Sequence, residues 1–176
     1  KQFYAIGFAI YGLSEYARAT ADREALDYAI RLCECIEQHS LDRKDNGYIE
    51  ACTREWGKIE DMRLSDFDAN YPKSQNTHLH IIEPYTNLFR IWKDERLEKA
   101  LRNLINIFTD KILNPETHHL DLFFDNDWTR GAGHLESYGH DIECSWLMHE
   151  AALVLGDEEV LRKVEPIVKL VAKASE

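Results

Sequence analysis

The chain repeats itself at an offset of 72 residues. Asp94 lies 72 positions after Asp22, Leu113 the same distance after Leu41, and Trp128 after Trp56. The segments "ADREALDYAIRLCECIEQHSL" and "KDERLEKALRNLINIFTDKIL" therefore align without a gap. A third copy, "GDEEVLRKVEPIVKLVAK", has its aspartate at Asp157, a further 63 positions on. A period of this length marks stacked supersecondary units, none of which can bury its apolar face alone.

Each copy opens on an aspartate suited to cap a helix N-terminus. Apolar residues follow at helical spacing: Leu26, Ala29, Ile30 and Cys33, then Leu97, Ala100, Leu101, Leu104, Ile105 and Phe108, then Leu161, Val164, Val168 and Val171. The spacing predicts amphipathic outer helices over 23–39, 95–111 and 158–173. Ahead of each stands a segment apolar around most of a helix, over 3–17, 77–92 and 141–155, which predicts a buried inner helix. The unit is an inner helix, a turn, an outer helix and a long polar loop. Fewer than three complete units fit in 176 residues, whereas a closed ring of six needs about 400. The expected fold is all-α: α/α hairpin repeats forming part of an (α/α)6 barrel. Residues 1–176 are read as one partial domain, with the rest of the barrel expected on either side.

Charge and composition remove several classes of function. A net charge of −11 argues against nucleic acid and anionic membrane surfaces. No apolar run is long enough to span a bilayer, and no signal peptide is visible. Cys33, Cys35, Cys52 and Cys144 form no CxxC pair, so reduced thiols and a cytoplasmic location are expected. No phosphate loop, dinucleotide fingerprint or Gly-x-Ser-x-Gly elbow occurs.

Two His-x-x-Glu pairs carry the chemistry. His80 and Glu83 lie in "NTHLHIIEPYTNL", and His140 and Glu143 in "SYGHDIECSW". Residues three apart share one helix face, so two inner helices each aim an imidazole and a carboxylate from near their N-termini. The helix dipole favours a neutral imidazole there. Glu143 pulls the other way and can orient the ring, so that His140 is expected to titrate near neutrality as a general acid/base. Asp141 points about 100° away around the helix. The bland reading is a hydrogen-bonded structural histidine; matching placement on two helices argues against it. A metal site is not expected, because His78 and His80 diverge on a helix and His149 lacks the second histidine of a zinc-protease helix. His39, His118, His119 and His149 read as surface or packing residues. Tyr4, Tyr11 and Trp146 on inner helices read first as core. Trp128 lies in a loop, where an aromatic side chain is expected to touch ligand.

The segments "DANYPKSQNTHLHIIEPYTNLFR" and "SYGHDIECSWLMHEAA" closely resemble the two most characteristic stretches of cellobiose 2-epimerases, within the N-acylglucosamine 2-epimerase superfamily. "YGLSEYARAT", "DREALDYA" and "FFDNDW" resemble further segments, so the resemblance covers the whole chain. It implies an (α/α)6 barrel longer than this chain. It also implies epimerisation at the reducing end of a β-1,4-linked disaccharide, cellobiose or mannobiose, with no metal, nucleotide or other cofactor. A histidine removes the C2 proton to give a cis-enediolate, and a second returns a proton on the other face. Carried onto this sequence, His140 is one member of that pair, Glu143 sits beside it, and His80 is the active-site imidazole of the earlier motif, in preference to His78. Asp68 and Asn76 match polar cavity positions, and Tyr4 matches an inner-helix tyrosine near the substrate. Glu83 and Trp128 complete the expected substrate contacts. The family's partner histidine and a sugar-binding arginine belong to segments outside these residues. Pro84 departs from the family's usual alanine, and should kink its helix or lie within its first turns.

Three other readings stay open. An aldose–ketose isomerase shares the enediol and differs in where the proton returns. An inverting glycoside hydrolase would use two carboxylates, such as Asp68 and Glu143, but leaves the histidines unexplained. A non-catalytic helical-repeat scaffold predicts no buried polar cavity.

Overall fold

Asp22, Asp94 and Asp157 each cap a helix. Asp22 accepts from the Ala25 N–H, Asp94 from the Arg96 N–H, and Asp157 from the N–H groups of Glu159 and Val160. The computed structural model describes residues 1–66, 68–132 and 135–176. The helices that follow the three aspartates are α2 (Arg23–His39), α4 (Glu95–Ile107) and α6 (Glu158–Ala174). Those that precede them are α1 (Phe3–Thr20), α3 (Gln75–Ile91) and α5 (Tyr138–Leu155). Left-handed residues, Ala21 (φ 60°) and Gly156 (φ 71°), turn α1 into α2 and α5 into α6. Three helix pairs result.

The repeat extends into the loops in atomic detail. After α2, Leu41 bridges Tyr48 around a turn whose left-handed residue is Asn46 (φ 65°). After α4, Leu113 bridges Leu120 around the equivalent turn, with His118 (φ 63°) in place of Asn46. Leu41 N donates to Ile36 O and Leu113 N to Phe108 O, so both outer helices unwind through the same wide final turn. Trp56 and Trp128 are both left-handed, at φ 68° and 70°. The two long loops meet in a minimal antiparallel ribbon, β1 (Lys73–Ser74) on β2 (Phe123–Phe124), with Lys73 opposite Phe124.

The core is centred on α3, which packs against α1, α4 and α5. Pro84 lies mid-helix rather than in the first turns, and α3 runs on through it. Lacking an N–H, Pro84 cannot donate to the His80 carbonyl four residues back. Gly7 of α1 packs against that carbonyl: a Cβ on Gly7 would lie 2.1 Å from the His80 oxygen. The expectation that all three inner helices are buried all round holds for α3 alone. On α1 and α5 one apolar face is open, with Phe8, Ile142 and Trp146 each nearly half exposed, because described neighbours flank these two helices on one side only. No helix among the described residues is long and apolar enough to cross a membrane.

Candidate active site

The N-terminal halves of α3 and α5 run side by side and bring His80 and His140 together. Their ring centroids are 6.4 Å apart and nearly perpendicular. One ligand-type atom from each of His80, His140 and Glu143 lies within 4.8 Å of the others. These two imidazoles and one carboxylate are the group among the described residues that could hold a metal ion, and they have the composition of a zinc tripod.

Each imidazole is held through Nδ1. His80 Nδ1 meets Glu83 Oε2 at 3.4 Å. The ring of Phe8 lies 4.7 Å from His80 and that of Tyr4 6.3 Å, so α1 supplies an aromatic flank to this histidine. His140 Nδ1 lies 2.8 Å from Gln75 Nε2 and 3.0 Å from Ser137 Oγ. Glu143, expected to orient one of the rings by a hydrogen bond, makes none to either; it acts through its charge. Burial pushes the His140 pKa below the ordinary 6.5, while Glu143 and Asp141 oppose that shift and His80 adds to it. Burial therefore outweighs the carboxylates, and His140 is held neutral at pH 7.

His140 opens onto a cavity of about 230 Å³ walled in part by Glu50, Asp68, Gln75, Asn76 and Ser137. Asp68 accepts from the Ser65 N–H and hydroxyl. Glu50 and Gln75 are 6% and 3% exposed, and neither was singled out from the sequence. Glu50 Oε1 accepts from the Thr77 hydroxyl at 2.5 Å. Burial raises the Glu50 pKa, against hydrogen bonds from Ser74 and Thr77 that lower it.

His78 is structural. It is fully buried, its Nδ1–H donates to Ser74 O at 2.7 Å, and its Nε2 accepts from the Tyr48 N–H at 2.9 Å. Burial drives its pKa down to about 4. Trp128, expected to touch ligand, packs inward instead. It is 9% exposed, its Nε1–H donates to Asp45 O, and its ring lies 5.2 Å from that of His78. The absence of a side chain on Gly47 makes its slot, since a Cβ there would lie 2.3 Å from the indole.

A second anchor was missed from the sequence. Asp141, with no exposed surface, accepts from His119 Nδ1–H at 2.7 Å and from the Leu120 N–H at 2.9 Å. This ties the first turn of α5, and with it His140, to the loop that repeats the Leu41–Tyr48 turn.

The fold and the paired histidines define a class: helical-hairpin proteins with an imidazole–carboxylate cluster at the ends of their inner helices. The N-acylglucosamine 2-epimerase (GlcNAc 2-epimerase) family profile matches residues 1–174, and the chain belongs to that family. It is 63% identical over 175 residues to a cellobiose 2-epimerase of Bacteroides fragilis, covering 99% of this chain and 44% of that protein. A cellobiose 2-epimerase of Ruminococcus albus is 41% identical over 163 residues, covering 93% and 41%. The solved structure of cellobiose 2-epimerase from Bacillus thermoamylovorans superposes with a TM-score of 0.92 at 40% identity, covering 99% of this chain and 44% of that one. A D-mannose isomerase structure at 17% identity and a TM-score of 0.78, with 98% and 42% coverage, shares the fold. The chain thus spans less than half the length of these relatives.

Proposed function

We propose that the protein containing this chain is a sugar 2-epimerase, interconverting glucose and mannose at the reducing end of a β-1,4-linked disaccharide such as cellobiose or mannobiose. The observation that carries the reading is the approach of His80, His140 and Glu143, with His140 opening onto a cavity that also carries Glu50, Asp68 and Asn76, in a chain similar along its whole length to cellobiose 2-epimerases.

The chemistry asks for a base with a free lone pair near neutral pH. His140, held neutral by burial, meets that demand. With the sugar open as its aldehyde, the base takes the C2 proton. The C2–H electron pair becomes the C1=C2 bond, and the aldehyde oxygen takes the negative charge. The resulting cis-enediolate is planar at C2. Protonation from the opposite face inverts that carbon and restores the aldehyde. The second acid is the partner histidine expected outside these residues. His80, braced by Glu83, faces the same reacting region and stabilises the enediolate oxygens or assists ring opening. Asp68 and Asn76 take sugar hydroxyls, and Tyr4 with Phe8 offers an apolar edge to the ring.

The test uses the full-length protein in deuterium oxide. Wild type is expected to incorporate deuterium at C2 and to form the C2 epimer, and His140→Ala to lose about 10²–10⁴-fold of that rate while circular dichroism stays unchanged. A ketose product in place of the epimer would assign the isomerase reading. Near-normal exchange by His140→Ala would remove His140 from the mechanism.

A further inference from the structure

We propose that Gln75 is a positioning residue that fixes which nitrogen of His140 carries the proton, by accepting the Nδ1–H with its side-chain carbonyl and so leaving Nε2 bare as the base. The inference rests on the functional reading above and adds a residue to it.

The pair is defined by position. Gln75, the first residue of α3, is 3% exposed, and its amide nitrogen lies 2.8 Å from His140 Nδ1. Written in that direction, the amide donates to Nδ1. A neutral imidazole that accepts at Nδ1 must carry its proton on Nε2. Such a ring has no lone pair left for a substrate proton. The same direction leaves Gln75 Oε1 buried without a hydrogen-bond partner, and an unmet buried acceptor costs about 1–3 kcal/mol.

One rotation removes the first problem. Turning the amide by 180° about its last torsion exchanges oxygen and nitrogen with almost no change of shape. Oε1 then accepts the Nδ1–H. The amide NH2 then lies in a wall shared with Glu50, Asp68 and Arg63. Ser137 Oγ, 3.0 Å from the same nitrogen, offers a second acceptor. No hydrogen bond of the described residues engages Nε2 of His140, so that atom is the one available for proton transfer. When Nε2 takes the C2 proton, the ring becomes an imidazolium whose Nδ1–H is already held, and no group has to reorganise during the step. His80 is held in the same sense, through Nδ1 by Glu83.

The charged and titratable groups facing His140 are His80 and Glu83 on α3, Asp141 and Glu143 on its own helix, and Glu50, Arg63, Asp68 and Tyr71 at the cavity. None of them reaches Nδ1. Gln75 and Ser137 are the groups that set the tautomer.

The test is made on the full-length protein. Nitrogen-15 NMR of histidine-labelled protein distinguishes a protonated from a bare ring nitrogen, independently of turnover. Wild-type His140 is expected to show Nδ1–H and bare Nε2 when neutral. Gln75→Met, close in length but unable to accept strongly, is expected to give a tautomer mixture and a kcat at least about tenfold lower, with KM moved less than twofold. Gln75→Glu places an anion on the Nδ1–H and is expected to move the acidic limb of the kcat profile to higher pH. A wild-type ring protonated at Nε2 would overturn the proposal. So would a Gln75→Met protein with unchanged tautomer and kcat, or a Gln75→Glu protein with an unmoved pH limb. The outcomes separate the two claims: Nδ1–H in a protein with no epimerase activity sinks the functional reading alone, and Nε2–H in an active epimerase sinks the role of Gln75 alone.

Discussion

Gly7 of α1 rests directly on the carbonyl of His80 in α3. The contact exists because Pro84, one turn on, has no N–H to offer that carbonyl, and because Gly7 has no Cβ to stand in its way. A Cβ on Gly7 would meet the oxygen at 2.1 Å and the Pro84 ring at 3.4 Å. One helix–helix contact therefore depends on a glycine and a proline 77 positions apart, and it lies directly behind an imidazole of the candidate active site.

Gly7→Ala is expected to force α1 away from α3. Overpacking of this kind costs about 1–3 kcal/mol. Thermal unfolding of the full-length protein should show the loss, and Phe8 should shift off His80, since the two rings are 4.7 Å apart. A Gly7→Ala protein with unchanged melting would mean that the α1–α3 contact yields at little cost.

The Asp141 anchor makes a second expectation. Asp141→Ala leaves the Leu120 N–H and the His119 Nδ1–H without their acceptor. Each lost partner of a buried group costs about 1–3 kcal/mol. Asp141→Asn keeps one oxygen for Leu120 and should lose less. Activity should fall with Asp141→Ala beyond what stability explains, because α5 carries His140 on the next residue back. Chemical denaturation and steady-state rates, measured on both variants, check the ranking.

These particulars show what was legible in the sequence. The capping aspartates and the His-x-x-Glu spacing are local patterns, and local patterns survive in a single sequence. The repeat is legible because Asn46 and His118, or Leu41 and Leu113, do the same backbone work at a fixed offset. Glu50, Gln75 and His119 were not legible as site residues. Glu50 and His119 stand on loops whose paths depend on left-handed residues and on ribbon pairing, neither of which has a periodic signature, and Gln75, the first residue of α3, meets His140 only because α5 packs beside that helix. Trp128 was misread for a related reason: its loop folds back under Gly47, and nothing in "FFDNDW" shows that a slot waits there. Phe8 was missed because an aromatic on an apolar helix looks like core until its neighbours are known.

His78 gives acid sensitivity a specific source. Its pKa falls from 6.5 to about 4 on folding, so the folded chain binds fewer protons than the unfolded chain between those values. Its contribution is complete above about pH 6.5 and is lost progressively as pH falls towards 4, for a total of about 3 kcal/mol. Glu50 works in the opposite sense, because burial raises its pKa and favours the folded state as acid is added. Urea unfolding at pH 7 and pH 4.5 should show a shallower loss in His78→Gln than in wild type. Equal slopes would assign the acid sensitivity elsewhere.

Glu143→Gln tests the remaining electrostatic relationship in the cluster. Glu143 lies within 4.8 Å of His80 and His140 without a hydrogen bond to either, so charge is what the substitution removes, and shape is kept. Glu143 raises the His140 pKa against the downward pull of burial. Removing its charge therefore lowers that pKa further, and the acidic limb of kcat/KM should move to lower pH. At neutral pH His140 remains unprotonated in either protein, so the population of base is unchanged. The base itself is weaker, however, and the imidazolium formed on proton abstraction loses a neighbouring anion. A loss of transition-state stabilisation near 1.4 kcal/mol lowers kcat about tenfold. The pH–rate profile of the full-length protein and the NMR titration of His140 report the two effects separately. A limb that moves to higher pH, or a rate unchanged at pH 7, would show that Glu143 serves the cluster by some means other than its charge on His140.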